Sequence, residues 1–427
     1  MQLQQQTYQI QGIDVLDIAN EFGLPLYVYD ADKISQKIHL LRSSFRGVNL
    51  KIKYAVKALS NVAILKFMRR QGVETDVVSV NEARLALLAG YEPAQIMFTP
   101  SGNSMAEIRE AIALGLRVNV DSLPLLTWIG EEYGSRVPVC IRINPHIAEG
   151  GNLKIQTGHA DSKFGISVAQ RADINAVVTQ YAIPVIGLHI HTGSDFKNAD
   201  AFLKGAEVLF DVAADYPDLQ FMDFGSGFKV AYKPGDSFTD IGELGERVSA
   251  AFSAFGARYR QLHGRSGDDG RELELWFEPG KFLVSESGHL LVGVNVVKKN
   301  PTRTFVQVDS GLNHLIRPMM YDAYHHILNV SNPAGAPGTY DVVGYICETD
   351  TFAKDRTLPE VRVGDVLSLE NAGAYGFSMA STYNSRPRPA EVLVYEGRPY
   401  LIRRRETFDD LVRGQVDVDF EQAIYSH

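Results

Sequence analysis

Cysteine is nearly absent from this chain: 427 residues carry two, Cys140 and Cys347. Two thiols in so long a chain make no disulfide framework, and a reducing compartment is the simpler reading. No apolar run approaches the ~20 residues of a membrane span. The N-terminal segment MQLQQQTYQIQG has no charged stretch followed by an apolar core. It does not read as a signal peptide, and a cytoplasmic location is expected. An excess of positive charge is missing too. Lys and Arg number 42 against 51 Asp and Glu, a formal net charge of -9, with basic residues only in short clusters such as Arg403, Arg404 and Arg405. That excludes the usual footprint of a nucleic-acid binder. Also absent is a G-x-G-x-x-G run opening a first helix, which weighs against an open dinucleotide-binding sheet.

What is present is a globular composition, 45% hydrophobic and 22% charged, in a chain too long for one ordinary core. Eight short runs rich in Val, Ile, Phe and Leu end in turn or polar residues and predict strands: 51–59, 75–80, 95–100, 117–122, 137–145, 185–194, 219–227 and 273–280. Amphipathic helical stretches such as 81–91 and 104–115 lie between most of them. After Pro145 comes a long Gly-rich polar segment, 146–167, of the kind that forms an active-site loop. Eight β-then-α units predict a closed (β/α)8 TIM barrel over residues 31–285, the open doubly wound sheet being the alternative. Beyond 285 helix is scarce and period-2 segments dominate, which predicts a C-terminal mainly β domain over 286–427. Strand-like TYQIQGI and LYVYD would bring residues 1–30 into that domain.

Catalytic groups of a barrel gather at the C-terminal ends of its strands. In chain order those ends supply Lys57, Asp76, Asn119 and Asp121, Arg142 and Asn144, then His189, His191 and Ser194, then Gly225-Ser226-Gly227 and Glu278-Pro279-Gly280. Lys57 is an awkward guest after the apolar run Ile52 to Val56, and a lysine there suits Schiff-base formation with a carbonyl cofactor. Small residues and a hydroxyl at 225–227, 280 and Ser194 suit a phosphate. Glu278 suits a pyridinium nitrogen, and His191 suits stacking on a flat ring. Together these describe pyridoxal 5'-phosphate. Each has a plainer reading. His189, His191 and Asp223 could bind a metal, a glycine turn is common without a ligand, and Cys140 in VPVCIRI reads as core.

Seven segments in order, KIKYAVKALSN, GLHIHTGSD, DFGSGFKVAY, EPGKFLVSESG, IRPMMYDAYHHI, CETDTFAKDR and GAYGFSMASTYNSRPRPAEVL, resemble the fold-type III pyridoxal-phosphate-dependent decarboxylases, and among these the diaminopimelate decarboxylases. The resemblance runs over nearly the whole chain. It implies decarboxylation at the D-centre of meso-2,6-diaminopimelate to give L-lysine, the last step of lysine biosynthesis by that route. It implies Lys57 as the cofactor's lysine, with Asp76 and Glu82 as acids behind it. His191 would stack on the ring and Glu278 would hold its nitrogen. Ser194, Gly227, Pro279, Gly280, Lys281 and Tyr375 would complete the cofactor contacts. Arg317 and Tyr321 would bind the far carboxylate, joined by Lys281 and Tyr375, and Glu348 the distal ammonium. Cys347 would donate a proton, with Glu348 and Asp350 keeping its thiol protonated. The resemblance also implies a homodimer in which Cys347 and Glu348 serve the partner's site. Two positions depart from the family's pattern: Lys281 replaces an arginine, and Ser226 replaces the middle glycine of a three-glycine turn. The readings nearest to this one are a decarboxylase of another basic amino acid, an amino-acid racemase on the same plan, and a non-enzymatic cofactor-binding protein.

Overall fold

Each of the eight apolar runs forms a strand in the computed structural model, which describes residues 1–147, 162–191, 193, 195–196, 199–264 and 272–420. The strands are β1 (Asn49–Ala55), β2 (Glu74–Val77), β3 (Ile96–Phe98), β4 (Arg117–Val120), β5 (Val139–Asn144), β6 (Val185–His189), β7 (Phe221–Asp223) and β8 (Glu274–Phe277). Each pairs in parallel with the next, and β8 pairs with β1, so the sheet closes into a barrel. The open-sheet alternative is thereby excluded. Most of the loop expected over 146–167 lies outside the described residues.

Strand alternation sorts the interior of the barrel into layers. The lower layer holds a stack of Phe221 on Trp276, centroids 3.6 Å apart, packed with Met97 and Cys140. Lys53 is fully buried there, its Nζ 3.8 Å from the Trp276 ring and ion-paired to Glu74. Burial pulls its ammonium down and Glu74 offsets part of that cost. Two residues further along the strands the layer turns polar: Asp76, Thr99, Asn119, Arg142, His189, Asp223 and Glu278, all buried.

The chain divides into two compact units, 30–288 with 371–378, and 1–29 with 289–370 and 379–427. The barrel thus takes the short segment 371–378, which the composition of the chain assigned to the β domain. Its Tyr375 N–H bonds to Ala58 O at 2.9 Å and its Gly373 N–H to Ser285 O at 3.1 Å. Only glycine fits at 373, where a Cβ would meet Val284 O at 1.9 Å. The second unit is built on a mainly antiparallel sheet. Its strand order is Thr351–Pro359, Pro337–Val343, Thr304–Val308, Gly288–Lys299, Leu26–Asp30, Ala390–Tyr395 and Arg398–Arg403, with Val366–Leu369 and Ile327–Asn329 alongside. Glu391 in its interior is held by the Tyr29 hydroxyl at 2.7 Å and by Arg403. Among the described residues no helix is long and apolar enough to cross a membrane.

Candidate active site in the barrel mouth

Ladder pairing of β1 with β2 stops at Ala55 opposite Asp76. Lys57 therefore stands in a 3-10 turn, Val56–Ala58, just beyond the strand. Its side chain is exposed yet ringed by charged and polar groups, the setting of a side chain in an open cavity. Burial among them pulls its ammonium down, but Tyr375, Asp76 and Glu278 outweigh this, and the net shift is upward. Asp76 bonds to the Thr99 hydroxyl at 2.7 Å, and burial together with Glu278 pushes its carboxyl well up. Glu82 begins the next helix: Ser79 Oγ accepts its N–H, and its own carboxylate accepts the Val78 N–H at 2.8 Å.

On the far side of the mouth, Asp223 Oδ1 accepts the Gly225 N–H at 2.8 Å and Glu278 N–H bonds to Gly225 O at 2.6 Å. Asp223 and Glu278 are adjacent buried carboxyls that cannot both ionise. Burial and Glu278 push Asp223 up, so the shared proton rests on Asp223. Glu278 is shifted down and is the ionised member of the pair, with His189 Nε2 lying 3.2 Å from its Oε2. Its Oε1 is buried without a hydrogen-bond partner. A buried ionised oxygen without a partner is a strong acceptor for a donor such as a protonated ring nitrogen.

His191 Nδ1 accepts the Ser226 N–H at 3.2 Å, and burial, Arg142 and Lys57 hold the ring neutral. The turn 225–227 keeps glycine at its two positive-φ positions, +62° at Gly225 and +121° at Gly227, so serine is accommodated between them. A Cβ at 225 would lie 2.5 Å from His191 Nδ1, and one at 227 would lie 2.4 Å from Gly193 O. Gly280, after β8, would bring a Cβ within 3.2 Å of Ala55 and Ala58, which sets the Pro279-Gly280 turn beside the Lys57 turn. We expect Gly225→Ala to cost about 1–2 kcal/mol in backbone strain and to displace His191. Titration of the apoprotein with pyridoxal phosphate should show roughly tenfold weaker binding with circular dichroism unchanged. Binding as tight as wild type would contradict the close approach.

Lys281 is ion-paired to Asp195, a partner 86 residues away in sequence. Nothing in the spacing pointed to Asp195, although it closes the GLHIHTGSD segment. Ser194 lies outside the described residues. The metal alternative paired His189 with His191, whereas among the described residues the three groups within ligand reach of one another are His189, Asp223 and Glu278.

In the second unit Arg317 and Tyr321 share the short helix Arg317–Tyr321, the guanidinium 5.9 Å from the Tyr321 ring. Cys347 is a free, exposed thiol. Its contact is Asn384, whose Nδ2 lies 3.2 Å from Sγ, and not the acids expected beside it. Asp350 turns inward and accepts backbone N–H groups from Leu312 and Ile346 at 2.7 and 3.0 Å. Glu348 accepts the Tyr383 hydroxyl.

The match to known proteins follows this geometry. Residues 31–285 match the family model described as "Pyridoxal-dependent decarboxylase, pyridoxal binding domain". The diaminopimelate decarboxylase of Methanothermobacter thermautotrophicus is 37% identical over 415 residues, 95% of each chain. The chain belongs to the diaminopimelate decarboxylase family. The enzyme of Campylobacter jejuni is 34% identical over 94% of this chain and 98% of its own. Among solved structures, the diaminopimelate decarboxylase from M. jannaschii in complex with L-lysine superimposes with a TM-score of 0.87 at 30% identity, covering 98% of each chain. That from Helicobacter pylori with L-lysine gives 0.82 at 33% identity, covering 94% of this chain and 98% of the other. Members of this family are pyridoxal-dependent, and the orphaned Glu278 oxygen, the glycine turns and Lys57 fit that group.

Proposed function

We propose that this chain decarboxylates meso-2,6-diaminopimelate to L-lysine and CO2 with pyridoxal 5'-phosphate held in the barrel mouth. The observation that carries the reading is Lys57 set in one charge cluster with Glu278, whose buried Oε1 has no donor. When bound, the cofactor supplies an aldehyde that joins amines and a protonated ring that takes up the electron pair freed as CO2 leaves.

The chain's own residues do the rest. Lys57 would hold the cofactor through its side-chain amine. Glu278 would accept the ring N–H, and the neutral His191 would stack on the ring. Asp76 receives and returns the Lys57 proton. Ser194, the 225–227 turn, the Pro279-Gly280 turn, Lys281 and Tyr375 hold the phosphate. Arg317 and Tyr321 bind the far carboxylate, which suits a forked guanidinium. Glu348 takes the distal ammonium. Cys347 gives the proton that replaces the carboxylate, so one C–C bond breaks and one C–H bond forms. Glu348 and Cys347 serve the site of a second copy, which makes the working form a homodimer, and the location cytoplasmic. Purified protein with pyridoxal phosphate should release CO2 and L-lysine in equal amounts from meso-diaminopimelate and little CO2 from ornithine or carboxynorspermidine. The reverse preference would defeat the substrate assignment.

The Lys281–Asp195 pair gives a sharper expectation about the phosphate. Asp195 neutralises the cation that replaces the family's arginine and adds a negative charge beside the anion. Asp195→Asn should therefore tighten pyridoxal phosphate binding roughly tenfold, about 1.4 kcal/mol. Equilibrium titration of the apoprotein measures this, and weaker binding would show that Asp195 instead holds Lys281 in place.

A further inference from the structure

We propose that His189, oriented by Asn119, is a positioning residue that presents an Nε2–H to Glu278 and so leaves the other carboxylate oxygen free for the cofactor ring. The inference rests on the reading of Glu278 as the acid at the ring nitrogen.

The direction of each hydrogen bond fixes the proton's place. Thr99 gives its hydroxyl proton to Asp76 Oδ1 at 2.7 Å, so its oxygen is left to accept. Asn119 Nδ2 lies 3.5 Å from that oxygen and 2.8 Å from His189 Nδ1. An amide turned the other way would set its carbonyl oxygen against the lone pairs of Thr99. The NH2 group therefore faces both acceptors, and His189 Nδ1 carries no proton. His189 is 1% exposed, and burial keeps the ring neutral against the pull of Glu278. Its single proton is on Nε2, 3.2 Å from Glu278 Oε2, at an angle short of a straight hydrogen bond. Because the ring is neutral, it meets Glu278 as a dipole and does not discharge it.

The chain Asp76, Thr99, Asn119, His189, Glu278 thus spans the mouth from the lysine side to the ring-nitrogen side. The other charged groups around Glu278 are Asp223, His191, Arg142, Lys57 and Asp76. Of these, Asp223 shares its proton with Glu278. Removing His189 takes away the polar hydrogen that lies nearest to Glu278 Oε2 in a buried site. The Glu278 carboxylate is then the stronger base, takes more of the proton shared with the ring nitrogen, and the ring is protonated less completely.

The test uses holoenzyme loaded with ring-15N pyridoxal phosphate, whose nitrogen shift reports ring protonation directly. Wild type should give a protonated ring. His189→Leu should move the signal towards the neutral ring and lower kcat about 10–100-fold with KM little changed, the range seen when a partner that orients a reacting group is lost. His189→Gln, whose amide N–H reaches the same oxygen, should restore most of both. A wild-type signal in His189→Leu, or a Gln variant no better than Leu, overturns the proposal. A wild-type signal in Glu278→Gln overturns the reading of Glu278 instead, so the two failures are distinct. Loss of the wild-type signal on dialysis against a chelator would assign His189, Asp223 and Glu278 to a cation and overturn the proposal as well.

Discussion

Lys57→Ala should lose turnover and the absorbance of lysine-bound cofactor together, and the protein should stay folded. Lys57 is exposed in a short 3-10 turn, and an exposed substitution usually changes stability by less than about 0.5 kcal/mol. The neighbouring lysines cannot take its place. Lys53 lies four residues earlier with its Nζ tied to Glu74 beneath Trp276, and Lys281 is committed to Asp195. The loss therefore exceeds the about 10²–10⁴-fold that follows removal of a general acid. Absorbance spectroscopy of the reconstituted variant, a CO2 assay and a melting curve read the three quantities. Normal turnover in Lys57→Ala would remove the cofactor assignment.

Cys347→Ala lowers kcat by about 10²–10⁴-fold and leaves cofactor affinity unchanged. The thiol is exposed, so alanine opens no cavity, and its one side-chain contact, Asn384, remains in place. On the proposed dimer each site takes Lys57 from one copy and Cys347 from the other. Lys57→Ala and Cys347→Ala proteins, each inactive, should then regain about a quarter of wild-type activity when mixed and re-equilibrated. Half the dimers are mixed, and each mixed dimer holds one intact site of two. No recovery would place both residues in one subunit. Loss of cofactor from Cys347→Ala would give the thiol a different role.

The barrel was legible because each buried strand is a short apolar run closed by a turn residue. Strand ends were less so. The run 185–194 pairs only through His189 and the run 219–227 only through Asp223. The next N–H groups, of Ile190 and Phe224, still reach the neighbouring strands, and the chain then turns away, as Gly225 N–H does to Asp223 Oδ1. Composition could not assign 371–378 to the barrel, because what docks it is backbone bonding to Ala58 and Ser285 and the room at Gly373. Residue types at strand ends singled out Lys57, His191 and Glu278 as candidates. They did not reveal pairs made across long sequence distances, such as Lys281 with Asp195 or Cys347 with Asn384. Asp350 misled because proximity in CETD suggests a contact with the thiol, whereas the turn directs its carboxylate to backbone N–H groups.

The central claim is that the barrel mouth is a cofactor site built around Lys57. Borohydride treatment of the reconstituted protein fixes the cofactor to its lysine as a secondary amine, and peptide mass mapping then locates it. The account predicts one pyridoxyl group per chain, on the peptide containing Lys57. A label on Lys53, Lys281 or a surface lysine, or no stoichiometric label, would contradict it.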